Sequence, residues 1–392
     1  MRENIKRHLD ESVPSHITLS EVQKRKILNE ANKRIHGRNL PSTRMLKPIA
    51  IGVAIICLAG FLSFPYIQDW SEESAYQPLI NEPLSESIKK VTITDVEYPS
   101  LINAVYVADT EEMIYTDHNG IYSYSVETET KRVLVEPKDN AEIYELAVSG
   151  EWLVWEDITT SKLYILNRIS HELNEFSNSQ MTSDFQLDGD TLTYMSIGDV
   201  NSFIGYKKLN LTTWEETEIH ELTGEGASSR SAIHDGLLVI PEQFKTGNKN
   251  NVTLFIYNLT TQVQVGEYIV PYEFTYNVTL TDNKVFTMLY NEGEDSILAY
   301  IDLEDDKLHE VNVPISDAYA VYEDFVALSV PTHDSNTVKL FQIENNGVVE
   351  LPTFSQIKER LVKPRFTEDG ILVVNGEGKQ LSMYLQDVEL LR

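Results

Sequence analysis

The chain has 392 residues, a formal net charge of −29 and 42% hydrophobic residues, which allows a large packed core and excludes wholesale disorder. The charge is unevenly placed: residues 1–47 hold 11 Lys/Arg against 5 Asp/Glu, and the rest of the chain holds 21 against 56. So acidic a second part repels DNA, RNA and anionic lipid and argues against nucleic-acid binding, while a single cysteine, Cys57, rules out an intramolecular disulfide.

The basic segment 1–47 predicts two short helices. Ile5, Leu9 and Val13 recur every four residues and share one face, and Pro14 ends that helix. Thr18 and Glu21 then form the T-x-x-E of a capping box. Behind it Leu19, Val22, Leu28, Ala31 and Ile35 approximate an apolar stripe, flanked by basic residues that include Lys24 and Arg25, and Gly37 and Pro41 supply the stop. So small a module builds little core of its own, so the stripe invites a partner. Leu19, Val22, Lys24, Arg25, Leu28, Ala31 and Ile35 are therefore the candidate partner-binding residues. A purely topogenic tail and a surface-lying amphipathic segment are the other readings of the same residues.

Residues 48–67, PIAIGVAIICLAGFLSFPYI, carry no charge. Twenty helical residues span roughly 30 Å, a bilayer's hydrocarbon core. Arg44 and Lys47 abut the start, and Tyr66 and Trp70 mark the end at headgroup level. Basic flanks stay in the cytoplasm, so the expectation is a single-pass protein of the cell membrane with its N-terminus inside and C-terminus outside. A cleaved signal peptide would begin near the terminus, and a lipoprotein would need a small residue where Ile56 stands before Cys57. Residues 68–90 are acidic and polar with two prolines and read as an extended stalk.

From residue 91 the texture changes to short strands rich in Val, Ile, Tyr and Thr, and these repeat. EEMIYTD, EWLVWED, DTLTYMS, GLLVIPE, NKVFTML, EDFVALS and DGILVVN share a pattern of acidic or glycine residues followed by an apolar strand. Their third residues are Met113, Leu153, Leu192, Leu238, Val285, Phe325 and Ile371, spaced 39 to 47 residues apart. A second strand follows each, and most end in a turn such as Asn167–Ser170, Asn210–Thr213 or Asn258–Thr261, where the side chain bonds its own backbone. A repeat of this length with about four strands predicts an all-β, seven-bladed propeller over 91–392. The segment 91–99 precedes the first blade and is placed to complete the last sheet and close the ring.

The pattern of acidic-Gly, apolar strand and L-Y-x-x-N-L-x-T resembles the TolB-like and WD40-like propellers of bacterial envelope proteins. The whole layout, with short cytoplasmic helices, one span and an external domain, resembles the membrane-bound sigma-factor regulators (anti-sigma factors) of Gram-positive bacteria. The tail lacks the His-x3-Cys-x2-Cys of the zinc-binding kind. That resemblance implies a cytoplasmic regulatory partner, a sigma factor for this family, and an extracellular protein or ligand for the propeller.

No G-x-S-x-G, H-E-x-x-H, P-loop or dinucleotide fingerprint occurs, so the expectation is a non-enzyme with no catalytic residue, cofactor or metal site. The acidic runs at 292–295 and 302–306 do not match EF-hand spacing and read as solvated loops. Trp152 and Trp155 read as blade packing. Three roles remain open at this point: a transmembrane regulator, an envelope scaffold or adhesion propeller with a topogenic tail, and an enzyme with its site on the propeller axis.

Overall fold

The computed structural model describes residues 88–392 apart from loop positions 98, 100–101, 118, 139–140, 161, 177–180, 199–202, 248, 332–335 and 345–346. The tail with its seven named residues, the apolar run 48–67 and the stalk up to 87 lie outside the described residues. Among the described residues there is no α-helix, and no helix is long and apolar enough to cross a membrane.

The described chain is a seven-bladed β-propeller. Strand β1 (Ile88–Ile93) comes first in sequence and last in space. Blade 1 is β2 (Val105–Val107), β3 (Glu112–Asp117), β4 (Gly120–Ser125) and β5 (Thr130–Val135); blade 2 is β6 (Ile143–Ser149), β7 (Trp152–Asp157), β8 (Lys162–Asn167) and β9 (Leu173–Phe176). Blade 3 is β10 (Met181–Asp188), β11 (Thr191–Ile197), β12 (Ile204–Asn210) and β13 (Glu216–Glu221). In blade 4 the first strand is broken into β14 (Gly226–Ala227) and β15 (Ala232–His234), followed by β16 (Leu237–Thr246), β17 (Lys249–Asn258) and β18 (Val263–Val270). Blade 5 is β19 (Phe274–Leu280), β20 (Lys284–Tyr290), β21 (Ile297–Asp302) and β22 (Lys307–Val311); blade 6 is β23 (Ala318–Tyr322), β24 (Phe325–Pro331), β25 (Asn336–Glu344) and β26 (Gly347–Leu351). Blade 7 is β27 (Leu361–Phe366), β28 (Ile371–Glu377) and β29 (Leu381–Asp387), and β1 supplies its fourth strand, pairing antiparallel from Ile88 opposite Gln386 to Ile93 opposite Leu381.

That closure is the one expected from the segment before the first blade, and the ladder also takes in Ile88–Lys90 at the end of the stalk. A chain whose two ends share a sheet has no unpaired edge where the ring joins. First strands of successive blades pack on one another, β2 on β6, β6 on β10, β10 on β15, β15 on β19 and β23 on β27, and so line the axis.

The second strands are apolar on both sides because both faces are covered. Trp152 and Val154 pack toward blade 3, with Phe185 and Leu192; Leu153 and Trp155 pack toward blade 1, with Ile114 and Ile121. Seven such clusters fill seven seams, so the core is a ring of layers rather than one centre. Six of the seven repeat markers, from Met113 to Phe325, are wholly buried. In blade 7 the marker Ile371 is partly buried and its neighbour Leu372 takes the buried place.

The repeated turns also have a physical basis. Asn167 Oδ1 accepts the N–H of Ser170 at 2.8 Å, Asn210 Oδ1 that of Thr213 at 2.8 Å, and Asn258 Oδ1 that of Thr261 at 2.9 Å. Four residues after each of these asparagines the chain enters the left-handed region, at His171, Trp214 and Gln262, whose N–H returns to the asparagine carbonyl. Asp302 and Asp306 repeat the arrangement in blade 5, which gives the acidic run 302–306 its shape. Trp152 and Trp155 are packing residues: Trp152 Nε1 donates to Asp190 Oδ1 at 2.8 Å, and Trp155 stacks on Tyr164.

Candidate functional site

A polar collar surrounds the axis. Counting eight residues back from each repeat marker gives Val105, Glu145, Asp184, Arg230, Asn277, Asp317 and Lys363. Each lies on or beside the first strand of its blade, and all but Val105 carry a charge or an amide. Local backbone explains how they are presented. β6, β10, β19 and β27 each carry a bulge, between Ile143 and Leu146, Ser183 and Gln186, Tyr276 and Val278, and Val362 and Arg365. Asp184, Asn277 and Lys363 sit in these bulges with φ of 49°, 50° and 54°. Asp and Asn tolerate this left-handed geometry; Lys363 holds it against its preference. A bulge re-aims a side chain that regular pleating would bury in a seam.

Blades 2 to 4 form a neutralised side of the collar. Asp184 Oδ2 accepts the Tyr206 hydroxyl at 2.8 Å and the Ser231 N–H at 2.7 Å, and its Oδ1 lies 3.4 Å from Arg230 Nε. Arg230 Nη1 also pairs with Glu145. Blades 2 and 4 are not neighbours, so Arg230 runs along a chord of the ring. The two carboxylates hold its guanidinium in the charged form, against the opposing effect of burial. A cavity of about 250 Å³ opens beside it, lined by Gln186, Arg230, Ser231, Asn277 and Thr279 among others. Across the collar Tyr276 is half-exposed, and burial together with Asp317 raises its phenol. Tyr319 of blade 6 shares its hydroxyl between the carbonyls of Asn277, at 2.5 Å, and Phe286, at 3.0 Å, which ties down the blade 5 bulge.

Blade 7 forms a cationic side, with Lys363 and Arg365 on β27. Burial lowers both, and Arg365 has no carboxylate in salt-bridge contact among the described residues. Among the described residues no group of three or more His, Cys, Asp or Glu is placed to hold a metal ion.

Glu156 on β7 faces the blade 2 bulge, and burial, then Glu145 and Asp157, push its carboxyl up to about 7. The sign of its contribution follows. Between the ordinary value of 4.5 and about 7 the folded state holds a proton that the unfolded chain has released, so stability falls as pH rises through that window. Glu156→Gln is therefore expected to stabilise the protein by roughly 1–3 kcal/mol near pH 8 and by almost nothing near pH 4. Paired urea melts at the two pH values measure this, and an equal effect at both would refute the assignment.

A larger groove of about 460 Å³ lies on the rim between β18 and blade 5, lined by Val265–Val270, Ile301, Asp306 and Leu308. Its Tyr268 hydroxyl and Asp306 carboxylate are bonded to each other at 2.6 Å, which leaves it poorer in converging polar groups than the collar. The collar contains none of the partner-binding residues read from the sequence: Leu19, Val22, Lys24, Arg25, Leu28, Ala31 and Ile35 fall outside the described residues. The collar was missed although its signal, a polar residue eight before each marker, is present in six repeats. Its members are acids, bases and an amide, so no single residue type recurs.

No protein-family model matches the chain, and no curated protein matches it. Among solved structures the chain is similar to the RRP9 WD40 repeats, at 14% identity and a TM-score of 0.51, covering 78% of this chain and 98% of that one. It is similar to a chain of the mitotic checkpoint complex, at 11% identity and a TM-score of 0.53, covering 88% and 99%. It is also similar to an oligogalacturonate lyase in complex with manganese, at 11% identity and a TM-score of 0.54, covering 77% and 98%. At these identities the likeness concerns the fold, and the fold is shared by binding scaffolds and an enzyme.

Proposed function

We propose that this chain is a single-pass membrane regulator. Its propeller binds a ligand or an envelope protein outside the cell, and residues 1–47 hold a cytoplasmic regulatory protein, in the simplest case a sigma factor. The observation that carries the reading is the uncharged run 48–67 set between a basic segment and a strongly acidic one. The T-x-x-E and the apolar stripe behind it, which predict a second helix, add to the reading, since a tail that only set orientation would need basic residues and no stripe. The propeller's part in the proposal is binding without catalysis. Glu145 and Asp184 are engaged by Arg230, which suits a charged rim for recognition better than free groups for proton transfer.

The test is capture by residues 1–47 of the full chain. Burying Leu28 in an interface contributes roughly 1.5–3 kcal/mol. Leu28→Asp is expected to abolish pull-down of the cytoplasmic partner while protease added to intact protoplasts still removes the propeller and spares the tail. Unchanged capture, or no specific partner for the wild-type tail, would reduce the segment to a topological signal.

A further inference from the structure

Arg365 lies opposite Val373 in the β27–β28 ladder, so the two side chains share a face. Val373 packs in the seam between blades 7 and 1, with Ile102, Met113 and Tyr115, and this places Arg365 on that seam near the axis. Its Nη1 donates to the Lys363 carbonyl at 2.9 Å and to Asn375 Oδ1 at 2.8 Å. Asn375 is itself buried and donates to the Ile102 carbonyl at 3.1 Å, which locks its amide orientation and spans the seam.

Nε and Nη2 are different. Both are shut off from solvent and neither has a hydrogen-bond partner among the described residues. These two nitrogens form one edge of the guanidinium, the edge whose parallel N–H groups match the two oxygens of a carboxylate. Two unpaired N–H groups on one guanidinium edge, with no carboxylate paired to Arg365 among the described residues, make a site short of acceptors. A buried, unpaired guanidinium edge is costly, so its persistence in a chain of net charge −29 calls for an occupant.

We propose that the blade 7–blade 1 seam is a binding site for a carboxylate group, held side-on by Nε and Nη2 of Arg365. The ligand class is a small organic acid or the acidic group of a larger molecule. This gives a chemical identity to the ligand of the propeller and rests on the binding role proposed above; the tail plays no part in it.

The probe is acetate, titrated into the full-length protein labelled with ¹⁵N-arginine, against chloride at equal ionic strength. The Arg365 Nε–H resonance, assigned by its absence in Arg365→Lys, is expected to move saturably with acetate. Acetate should also raise the melting temperature of the wild type, and Arg365→Lys, which keeps the charge and loses the fork, should weaken binding at least about tenfold. Should Arg365→Lys fail to fold, Asn375→Ala provides the second variant: it removes the acceptor that holds Nη1 and so the orientation of the fork, and is expected to weaken acetate binding several-fold. A resonance that ignores acetate, one that responds equally to chloride, or a stronger response to inorganic phosphate would each overturn the carboxylate assignment. In the first case the donors hold water alone. Capture of the cytoplasmic partner would survive any of these results, so failure here is distinct from failure of the regulator reading.

Discussion

Asp184→Ala is expected to destabilise the propeller by about 2–4 kcal/mol, chiefly because buried donors lose their acceptor, since Arg230 and Glu145 are partly exposed and their ion pairs add little. The carboxylate is almost wholly buried and joins three elements of the ring. Its loss strips the Tyr206 hydroxyl of its acceptor in a site without solvent, frees the Ser231 N–H and leaves Arg230 with Glu145 as its remaining ion-pair partner. Alanine must also adopt the φ of 49° that Asp184 holds, which adds about 1 kcal/mol. Asp184→Asn separates these effects. Asparagine accepts the left-handed backbone and keeps one oxygen acceptor, so it should cost roughly half as much. Urea melts of both variants, at a constant m-value, provide the measurement. A loss below about 1 kcal/mol for alanine would show that the blade 3–blade 4 junction does not depend on the collar.

What could be read in advance follows from which features leave a period in the sequence. The second strand of each blade is covered on both sides, so Leu153, Leu192 and Leu238 stand at regular intervals in apolar runs, and blade number and closure by β1 follow from them. The third-strand turns are legible because Asn167, Asn210 and Asn258 act through local hydrogen bonds to their own backbone. First strands are harder. They are interrupted by bulges at Asp184, Asn277 and Lys363, and in blade 4 by the break between Ala227 and Ala232, so pleated alternation fails where the functional side chains stand. The collar is therefore a property of position relative to the marker and not of residue type. Arg365 was still less visible, because a guanidinium edge without a partner is a fact of geometry alone.

The other large effect is expected at a seam rather than at the axis. Glu242 on β16 is fully buried and faces His220 on β13 of the preceding blade, with Nε2 and Oε2 2.8 Å apart. Its other oxygen accepts the N–H groups of Thr223 and Gly224, both at 2.5 Å. His220 Nδ1 lies 2.8 Å from the Tyr257 hydroxyl, and the ring packs against Phe255. The loop between β13 and β14 is held so close that a Cβ on Gly224 would come within 2.3 Å of the Gln243 carbonyl oxygen. One carboxylate thus faces four donors: the His220 ring, the Thr223 hydroxyl at 3.5 Å, and two backbone N–H groups that have no freedom to turn elsewhere. Glu242→Ala is expected to cost about 3–5 kcal/mol, since it strips the buried His220 ring and two part-buried backbone N–H groups of their acceptor. Glu242→Gln offers a milder route. Its oxygen serves the two backbone groups, and its amide donates to Nε2 if His220 moves its ring proton to Nδ1, where the Tyr257 oxygen accepts it. That variant should lose only about 1–2 kcal/mol, because it gives up the charge and keeps an acceptor for the backbone groups. Nitrogen-15 spectra of the His220 ring would show the change of tautomer directly. An alanine variant as stable as the glutamine variant would mean that the seam is held by its apolar cluster, and that the Glu242–His220 pair adds nothing to it.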